Sequence, residues 1–332
     1  MTTENGPDQG RREPNHSTVM GERRHLLNLA YRLLGTLAEA EDVVQETYAR
    51  WYAQSPQERD AIRSPGAWLT TVAGRICLDV LGSARARRER YVGEWVPEPL
   101  PAAGQWSSVG RPAGLGDPAD RITLDESVTM AFLVTLEAMS PAERVALILH
   151  DVFGYSFPEV ANIVGRTPAA CRQLASSARR RARAYESPET STIRHAETVR
   201  AFKRAWVAQD IEALLELLDP DATAIADGGG LAHAALDPIE GADQVAHHYV
   251  SIAERTPANV TIVECLVNGQ PGLSVQREGA IVTVLAFDIT GDRIQHIWAV
   301  LNPAKLQRWN DDADRRPTAG SVPPSTPRAS DR

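Results

Sequence analysis

The residues with the clearest potential for acid–base chemistry lie in the last third of the chain. Asp288 and His296 fall on consecutive predicted strands, Trp298 follows His296 on the same strand face, and His233 lies in a predicted loop. A carboxyl–imidazole pair in an apolar pocket could transfer protons. A lone strand histidine is usually structural, however, and no nucleophile, base and orienting group occur together here. We therefore predict no catalytic residue and a protein that is not an enzyme.

Metal and disulfide chemistry are not expected either. The cysteines Cys77, Cys171 and Cys265 are isolated, and no Cys/His spacing indicates zinc. The adjacent His247 and His248 would point about 100° apart on a helix, which makes them a poor metal pair. We expect no metal and no cofactor. Unpaired cysteines, a polar start and the lack of any apolar run near ~18 residues indicate a cytoplasmic protein with neither a membrane span nor a signal peptide.

An acidic stripe is predicted on a helix over residues 36–54. Its polar residues have the i, i+3 and i+4 spacing of a single helix face, and an aromatic residue lies on the apolar side. Such a stripe is suited to a basic partner surface, and a solvated helix face is the alternative interpretation. The residues concerned are Glu39, Asp42, Gln45, Glu46 and Trp51.

A second candidate surface combines the helix predicted to start at Ser64-Pro65 with the basic run RARRER at 85–90. Binding of single-stranded DNA requires aromatic and hydroxyl groups for the bases and cations for the phosphates. The alternative is a core tryptophan followed by a soluble helix end. The candidate residues are Trp68, Thr71, Arg75, Asp79, Arg85, Arg87 and Arg88.

Two further predicted helices form a helix-turn-helix pattern. The first starts at Ser156 and ends at Gly165, and the second runs from Thr167 to about Arg183. The segment 166–185 holds six arginines and no acid although the formal net charge of the chain is −8, which favours DNA binding over a packing role. Base edges would meet the start of the second helix, and phosphates its later arginines. The candidates are Thr167, Arg172, Gln173, Ser176, Arg179, Arg180 and Arg183.

Changes in composition and in hydrophobic periodicity divide the chain into units. The predicted units are a disordered tail at 1–18, a helical unit at 19–90, a Pro/Gly-rich linker at 91–120, a second helical unit at 121–185, a connector at 186–194, an α+β domain at 195–309 and a disordered tail at 310–332. In the α+β domain we predict helices at 195–208, 210–218 and 241–255, then an antiparallel meander of strands at 260–267, 273–276, 280–289 and 293–301.

The two helical units resemble a known family at several places in the right order. AEAEDVVQETYARWYAQ (38–54) and SPGAWLTTVAGRICLDVLGSARARRER (64–90) resemble region 2 of extracytoplasmic-function (ECF) sigma factors. LEAMSPAERVALILHDVFGYSFPEVANIVGRTPAACRQLASSARRRAR (136–183) resembles region 4. The resemblance implies two all-α domains. It also implies that the acidic helix binds the clamp of the bacterial RNA polymerase core. The helix at 64–90 would then melt and read the promoter −10 element, and the helix-turn-helix would read the −35 element.

The rest of the chain resembles the sigma J-like group, in which an α+β SnoaL-like cone domain follows region 4. YVGEWVPEPL (91–100), DGGG (227–230) and NPAKL (302–306) carry this resemblance. It implies regulation by the fused domain through contact with the sigma core, without a separate anti-sigma protein, and a possible small-molecule ligand in the cone. The contact residues would be Trp95, Pro97, Glu98, Pro99, Leu100, Asp227, Gly228, Gly229, Gly230, Asn302, Pro303, Lys305 and Leu306.

A second function class remains open at this point. The same elements are compatible with a ligand-responsive DNA-binding regulator, or with a SnoaL-like isomerase or cyclase fused to a helix-turn-helix module. The two classes differ in what they need in order to bind DNA. A sigma factor requires core polymerase for specific promoter binding, whereas a repressor binds its operator alone.

Overall fold

The computed structural model describes residues 19–88, 91–101, 128–183 and 192–311. The first half is helical, and local sequence signals set its boundaries. Gly35 ends the first helix with a φ of +77°, a conformation that favours glycine. Ser55, Ser140 and Ser156 each start a helix with a capping box. The helices are α1 (Arg23–Leu34), α2 (Leu37–Tyr52), α3 (Pro56–Ala61), α4 (Pro65–Arg88), α5 (Met130–Glu137), α6 (Pro141–Leu147, continued by a π-helical turn at Ile148–Val152), α7 (Phe157–Val164) and α8 (Pro168–Arg183).

The two helical units share one apolar core. Leu26 of α1, Leu69 of α4, Val145 of α6 and Val160 of α7 are fully buried in the same cluster. The buried Arg144 ties the units together, because its Nη1 donates to Leu33 O at 2.8 Å and to a Glu137 carboxylate oxygen at 2.6 Å. Burial lowers the pKa of Arg144 to about 10. The units at 19–90 and 121–185 therefore pack as one helical body.

The second half forms an α+β domain around a six-stranded sheet of order β2-β1-β6-β5-β4-β3. Here β1 is parallel to β6, and the other neighbouring strands are antiparallel. The elements are α9 (Thr192–Ala208), α10 (Ile211–Leu217), β1 (Leu218–Asp227), β2 (Ile239–Glu240), α11 (Ala242–Arg255), β3 (Val260–Val267), β4 (Gln270–Arg277), β5 (Ala280–Thr290), β6 (Arg293–Val300) and α12 (Gln307–Asp311).

The α+β class is confirmed, but the sheet differs from the predicted meander because β1 and β2 were not predicted. The inward positions of β1 include Ala222 and Ala224, and alanine gives a weak strand signal. The domain also extends beyond its predicted limits. Helix α9 begins inside the predicted connector, and Asn310 belongs to the domain because its side chain bonds the Ile281 backbone N–H at 2.7 Å and C=O at 3.0 Å.

The two faces of the sheet have different neighbours. One face packs with α9, α10 and α11 around residues such as Phe202, Leu285 and Ile297. The opposite face, which includes Trp298 and Val300, packs against Val96 of the linker and Met130 of α5, with α12 alongside. The C-terminal domain therefore contacts the helical body directly through one face of its sheet.

Candidate DNA-binding surfaces and the linker site

The acidic face of α2 is open to solvent. The side chains of Asp42, Gln45 and Glu46 are exposed, and Glu39 is half-buried. Glu46 accepts a surface hydrogen bond of 2.8 Å from Arg50 Nε one turn later. Exposed pairs of this kind contribute little to stability, so the face is available to a basic partner.

Trp51 does not lie on that open face, which corrects its predicted contact with the polymerase. Its side chain is only 3% exposed. Its ring packs edge to face on Trp68 of α4, with 5.3 Å between the centroids. Trp51 therefore holds α2 against α4, as an apolar helix position does, and offers no surface to a partner.

The predicted −10 surface on α4 is partly occupied by the helix-turn-helix unit. Arg75 is exposed, but its Nη2 donates to the Asn162 carbonyl of α7 at 2.7 Å. Next to it, Gly74 lies so close to Ile163 that a Cβ atom would be 2.7 Å from the Ile163 Cγ2 atom. The other α4 candidates differ in exposure: Trp68 and Thr71 are half-buried and Asp79 is exposed, whereas the side chains of Arg85, Arg87 and Arg88 lie outside the described residues.

The predicted −35 surface is open. Thr167, Arg172, Gln173, Ser176 and Arg180 are all exposed on the second helix of the helix-turn-helix. The Thr167 hydroxyl also accepts from the Ala170 N–H at 3.2 Å, so it caps α8. The guanidinium of Arg172 lies 5.4 Å from the Phe157 ring centroid, a cation–π contact that leaves the Arg172 side chain exposed.

Arg179 has an internal partner, in contrast to the predicted phosphate contact. Its Nε and Nη2 atoms bond the two carboxylate oxygens of Asp151 at 2.6 and 2.7 Å. This two-point pair raises the pKa of Arg179 and fixes α8 to the preceding turn. Arg180 is therefore the better phosphate candidate, while the side chain of Arg183 lies outside the described residues.

The most concentrated polar site joins the linker to the C-terminal domain at Asp227. This carboxylate is fully buried at the end of β1. Its Oδ1 accepts from the Tyr91 hydroxyl at 2.6 Å, and its Oδ2 accepts from the Val96 backbone N–H at 3.0 Å. Lys305 Nζ donates to the same Oδ2 at 2.7 Å. One carboxylate thus binds both ends of the segment 91–96.

Lys305 completes this site, which we call the linker clamp (Tyr91, Trp95, Val96, Asp227, Asn302 and Lys305). Its Nζ also donates to the Val96 carbonyl and lies 4.1 Å from the Trp95 ring centroid. Lys305 is 6% exposed, so both charges of the pair are buried. Removing one partner of a buried ion pair typically costs about 3–5 kcal/mol, because the other charge remains buried and unpaired.

The DGGG and NPAKL segments shape the clamp. Asn302 Nδ2 donates to the Tyr91 hydroxyl at 2.8 Å. Gly229 has a φ of +60°, and a Cβ atom there would collide with the Asn302 side chain. Pro303 is exposed, so it starts the turn that carries Lys305 and does not itself bury surface. A Cβ atom at Gly228 would collide with the Ala232 backbone, and one at Gly230 would press on the Val92 side chain. Leu306 is buried with Val96.

The second half of the linker binds region 2 through Glu98. Its backbone N–H donates to Gly35 O at 2.8 Å, and its carbonyl accepts from the Tyr31 hydroxyl at 2.8 Å. Its side-chain Oε2 accepts from the Leu37 N–H at 2.7 Å, so the linker caps α2 from outside the helix. Burial raises the pKa of the Glu98 carboxyl. Pro97 and Pro99 are buried on either side of it.

Two C-terminal contacts with this segment were missed by the sequence analysis. The Asn268 backbone N–H donates to Leu100 O at 2.8 Å, and the Leu100 N–H donates to Asn268 Oδ1 at 3.0 Å. Asn268 Nδ2 donates to the Tyr31 hydroxyl at 2.9 Å. Arg308 Nε lies 4.0 Å from Glu98 Oε1 of the linker, and Arg308 Nη2 pairs with Glu41 of α2 at 2.7 Å. Asn268 has a φ of +51° in an Asn-Gly turn, which was a recognisable turn signal but not a binding signal.

The candidate acid–base residues lie on two sides of the sheet. A cavity of about 880 Å³ opens on the helix-covered side of the sheet, and His233 lines it. Asp288 and His296 are neighbours across β5 and β6, but they share the face of Ala286 and Trp298, on the other side of the sheet. Among the described residues no cluster of His, Cys, Asp and Glu is arranged to hold a metal ion. Within the same ranges, every helix is too short or too polar to span a bilayer.

Comparison with known proteins agrees with this architecture. Residues 18–88 match sigma-70 region 2, and residues 129–181 match sigma-70 region 4. "ECF RNA polymerase sigma factor SigJ" of Mycobacterium tuberculosis (strain ATCC 25618 / H37Rv) is 36% identical over 299 residues, which cover 86% of this chain and 90% of SigJ. "Probable ECF RNA polymerase sigma factor SigI" of the same strain is 34% identical over 296 residues, covering 89% and 95%.

The three-dimensional similarity extends over the same length. The crystal structure of the M. tuberculosis SigJ sigma factor has a TM-score of 0.69 and 32% sequence identity, and it covers 88% of this chain and 98% of that one. A helical body with regions 2 and 4 in this order defines a sigma factor of the sigma-70 class. The chain belongs to the ECF RNA polymerase sigma factors, with a SnoaL-like C-terminal domain. It directs bacterial RNA polymerase to specific promoters and initiates transcription there.

Proposed function

We propose that the C-terminal domain regulates initiation by holding regions 2 and 4 in a closed arrangement, which opens on RNA polymerase and promoter DNA. The observation that carries this proposal is the linker clamp at Asp227. It fixes the start of the linker to the C-terminal domain, while Glu98 fixes the next residues to region 2.

The closed arrangement is incompatible with reading both promoter elements at once. The −10 and −35 elements lie about 25 base pairs apart, or about 85 Å of duplex at roughly 3.4 Å per base pair. In this structure α4 and α7 are in direct contact, with Arg75 bonded to the Asn162 carbonyl at 2.7 Å. Tyr155 of region 4 also donates to Thr70 of α4 at 2.9 Å. Both contacts have to break before the two elements are bound together.

The linker clamp opposes this separation. The segment 91–101 bonds the C-terminal domain through Val96 and Leu100, and it bonds region 2 through Glu98. Met130 at the start of region 4 packs on the same sheet face as Val96. Regions 2 and 4 are thus both held to one rigid face of the C-terminal domain, so releasing the clamp favours the open form.

The partner-binding roles follow from exposure. We assign polymerase binding to the open acidic face of α2, −35 base reading to Arg172, Gln173 and Ser176, and a phosphate contact to Arg180. On α4 we assign −10 binding to Trp68, Thr71, Arg75 and Asp79 in the open form. The predicted basic run at 85–90 would continue that surface.

In this proposal the C-terminal domain regulates the sigma regions by contact, without a separate anti-sigma protein and without catalysis. The fused domain supplies contacts that a separate anti-sigma protein would otherwise make, so we expect control without one.

We also propose a non-catalytic C-terminal domain. No carboxylate lines the cavity among the described residues, and Asp288 with His296 lies across the sheet from it. As a partner of the polymerase, the chain would act in the cytoplasm.

The test is run-off transcription with purified core polymerase and the promoter of a target gene. Asp227→Asn removes the charge that pairs with Lys305, and we expect transcription several-fold above wild type at equal protein level. Asp219→Asn is the matched control, since Asp219 bonds Gln295 away from the linker. Unchanged or lower activity of Asp227→Asn would overturn the closed-form proposal. Specific promoter binding by the chain alone, without polymerase, would favour the repressor class instead.

A further inference from the structure

The cavity of the C-terminal domain is large enough for a small molecule and does not belong to the DNA-binding or clamp surfaces. Its volume of about 880 Å³ falls within the usual range of ligand sites. It lies between α9, α11 and the sheet, where Trp206, Tyr249, Ile262 and Leu285 give it apolar walls.

The charged side chains of the lining, Lys203 and Arg255, are both cationic. Lys203, His233, His248 and Arg255 contribute nitrogen groups, and the described lining residues include no carboxylate. Arg255 donates only to neutral atoms of Ser251, at 2.8 and 3.1 Å. Lys203 meets a carboxylate of Glu264 at 3.2 Å, but Glu264 lies outside the cavity and also binds Arg200. In a chain of net charge −8, such a rim favours an anion.

We propose that this cavity binds a hydrophobic carboxylate, with its apolar body between α11 and the sheet and its carboxylate at Lys203 and Arg255. A carboxylate is the group that an arginine and a lysine recognise together through charge-assisted hydrogen bonds. The other lining side chains that carry polar atoms are uncharged or imidazole groups: Trp206, Gln209, His233, His248, Tyr249, Thr256, Thr261 and Thr283. Burial and the nearby Arg255 lower the pKa of His248, which favours the neutral ring, with one donor and one acceptor nitrogen.

One loop lies between the linker and the cavity. His233, Ala234 and Ala235 line it from the loop that follows the DGGG turn. Other residues of that loop face the linker: a Cβ atom at Gly230 would be 3.2 Å from Val92 Cβ, and one at Gly93 would be 3.5 Å from Leu236. A ligand that packs on this loop stabilises it and tightens the hold on the linker. This coupling rests on the proposed function, whereas the binding site does not.

Calorimetry on the full-length protein tests the site, with decanoate and uncharged 1-decanol as the probes. We expect decanoate to bind with one-to-one stoichiometry, and to bind at least ten-fold more tightly than 1-decanol. The double variant Lys203→Gln/Arg255→Gln should weaken decanoate binding at least ten-fold and leave 1-decanol unaffected. Arg200→Gln is the matched control, because Arg200 shares Glu264 with Lys203 but does not line the cavity. Ala299→Leu, which fills part of the cavity, should weaken both probes.

Three results would overturn the site: no heat of binding with decanoate, equal affinity for the double variant and wild type, or an equal loss in Arg200→Gln. Hydrogen exchange of the Val96 amide tests the coupling, since this N–H is bonded to Asp227. We expect decanoate to slow it several-fold, and exchange that is unchanged at saturating decanoate would overturn the coupling. None of these measurements involves polymerase, so their failure is distinct from failure of the Asp227→Asn transcription test.

Discussion

The two DNA-binding helices of this sigma factor differ in how far their surfaces are used inside the chain. The outer face of α8 presents Arg172, Gln173 and Ser176 to solvent. On α4, Arg75 bonds the α7 backbone, and Gly74 lies against Ile163. The proposed closed form would therefore allow contacts to the −35 element, while access to the −10 element would require separation of regions 2 and 4.

This difference separates two kinds of residue. Substitution on an open surface should change partner binding and leave stability alone. Substitution on a covered surface should change stability and the closed–open balance first. Each of the following variants tests whether a residue belongs to an open surface or to a covered one.

The largest expected effect is on polymerase binding through the open face of α2. Charge reversal by Asp42→Lys/Glu46→Lys should abolish binding to core polymerase, because both carboxylates are exposed on one helix face. The unfolding transition should stay within about 0.5 kcal/mol of wild type, as for surface substitutions. Co-purification with polymerase is the measurement, and Asp60→Lys on exposed α3 is the control. Wild-type yield of the double variant in co-purification would refute the assignment.

The covered linker clamp should show the opposite behaviour. Lys305→Ala should lower the free energy of unfolding by about 3–5 kcal/mol, because Asp227 stays buried without its charged partner. Adding Asp227→Ala should cost less than the sum of the two single losses, since the residues are in direct contact. Urea denaturation of the four proteins in this cycle gives the coupling energy. Additive losses would mean that the pair contributes no interaction of its own.

The open face of α8 should affect binding more moderately. Arg172→Ala should cost about 1–3 kcal/mol and relax the preference at one −35 position, as loss of a base contact does. Arg180→Ala should weaken all promoters alike and reduce the salt slope by about 1. Holoenzyme binding to a panel of −35 variants at several salt concentrations distinguishes the two. The same promoter profile for both variants would mean that reader and phosphate anchor are wrongly assigned.

The smallest effect is expected for Glu98, and it depends on pH. Burial raises its pKa above the ordinary value of 4.5, so the folded state holds this proton more tightly than the unfolded state. Its contribution to stability is complete below pH 4.5 and is lost as pH rises through the folded pKa. The stability of Glu98→Gln relative to wild type should therefore rise between pH 4 and pH 7. A relative stability that falls over this range would contradict the assignment.

Local signals explain which parts of the structure were predictable. The helix start at Ser156 and the stop at Gly165 depend on residues within one turn, and both were predicted. Strand β1 was missed because its buried alanines carry little strand preference. Contacts of the linker with Asn268 and Arg308 depend on residues far apart in the chain. No local pattern indicates them, whereas the burial of Trp51 follows from its position on the apolar side of α2.

The position of the clamp residues in the chain has a consequence for synthesis. Regions 2 and 4 and the linker are complete by residue 183, but Asp227, Asn302 and Lys305 are translated later. At roughly 5–20 residues per second, Lys305 follows residue 183 after roughly 6–24 s. During this interval the nascent chain has both promoter-binding regions but lacks the linker clamp. Each new molecule therefore passes through a period in which the linker clamp cannot yet form. The clamp becomes complete only when the last strand, β6, and the turn that follows it have been synthesised.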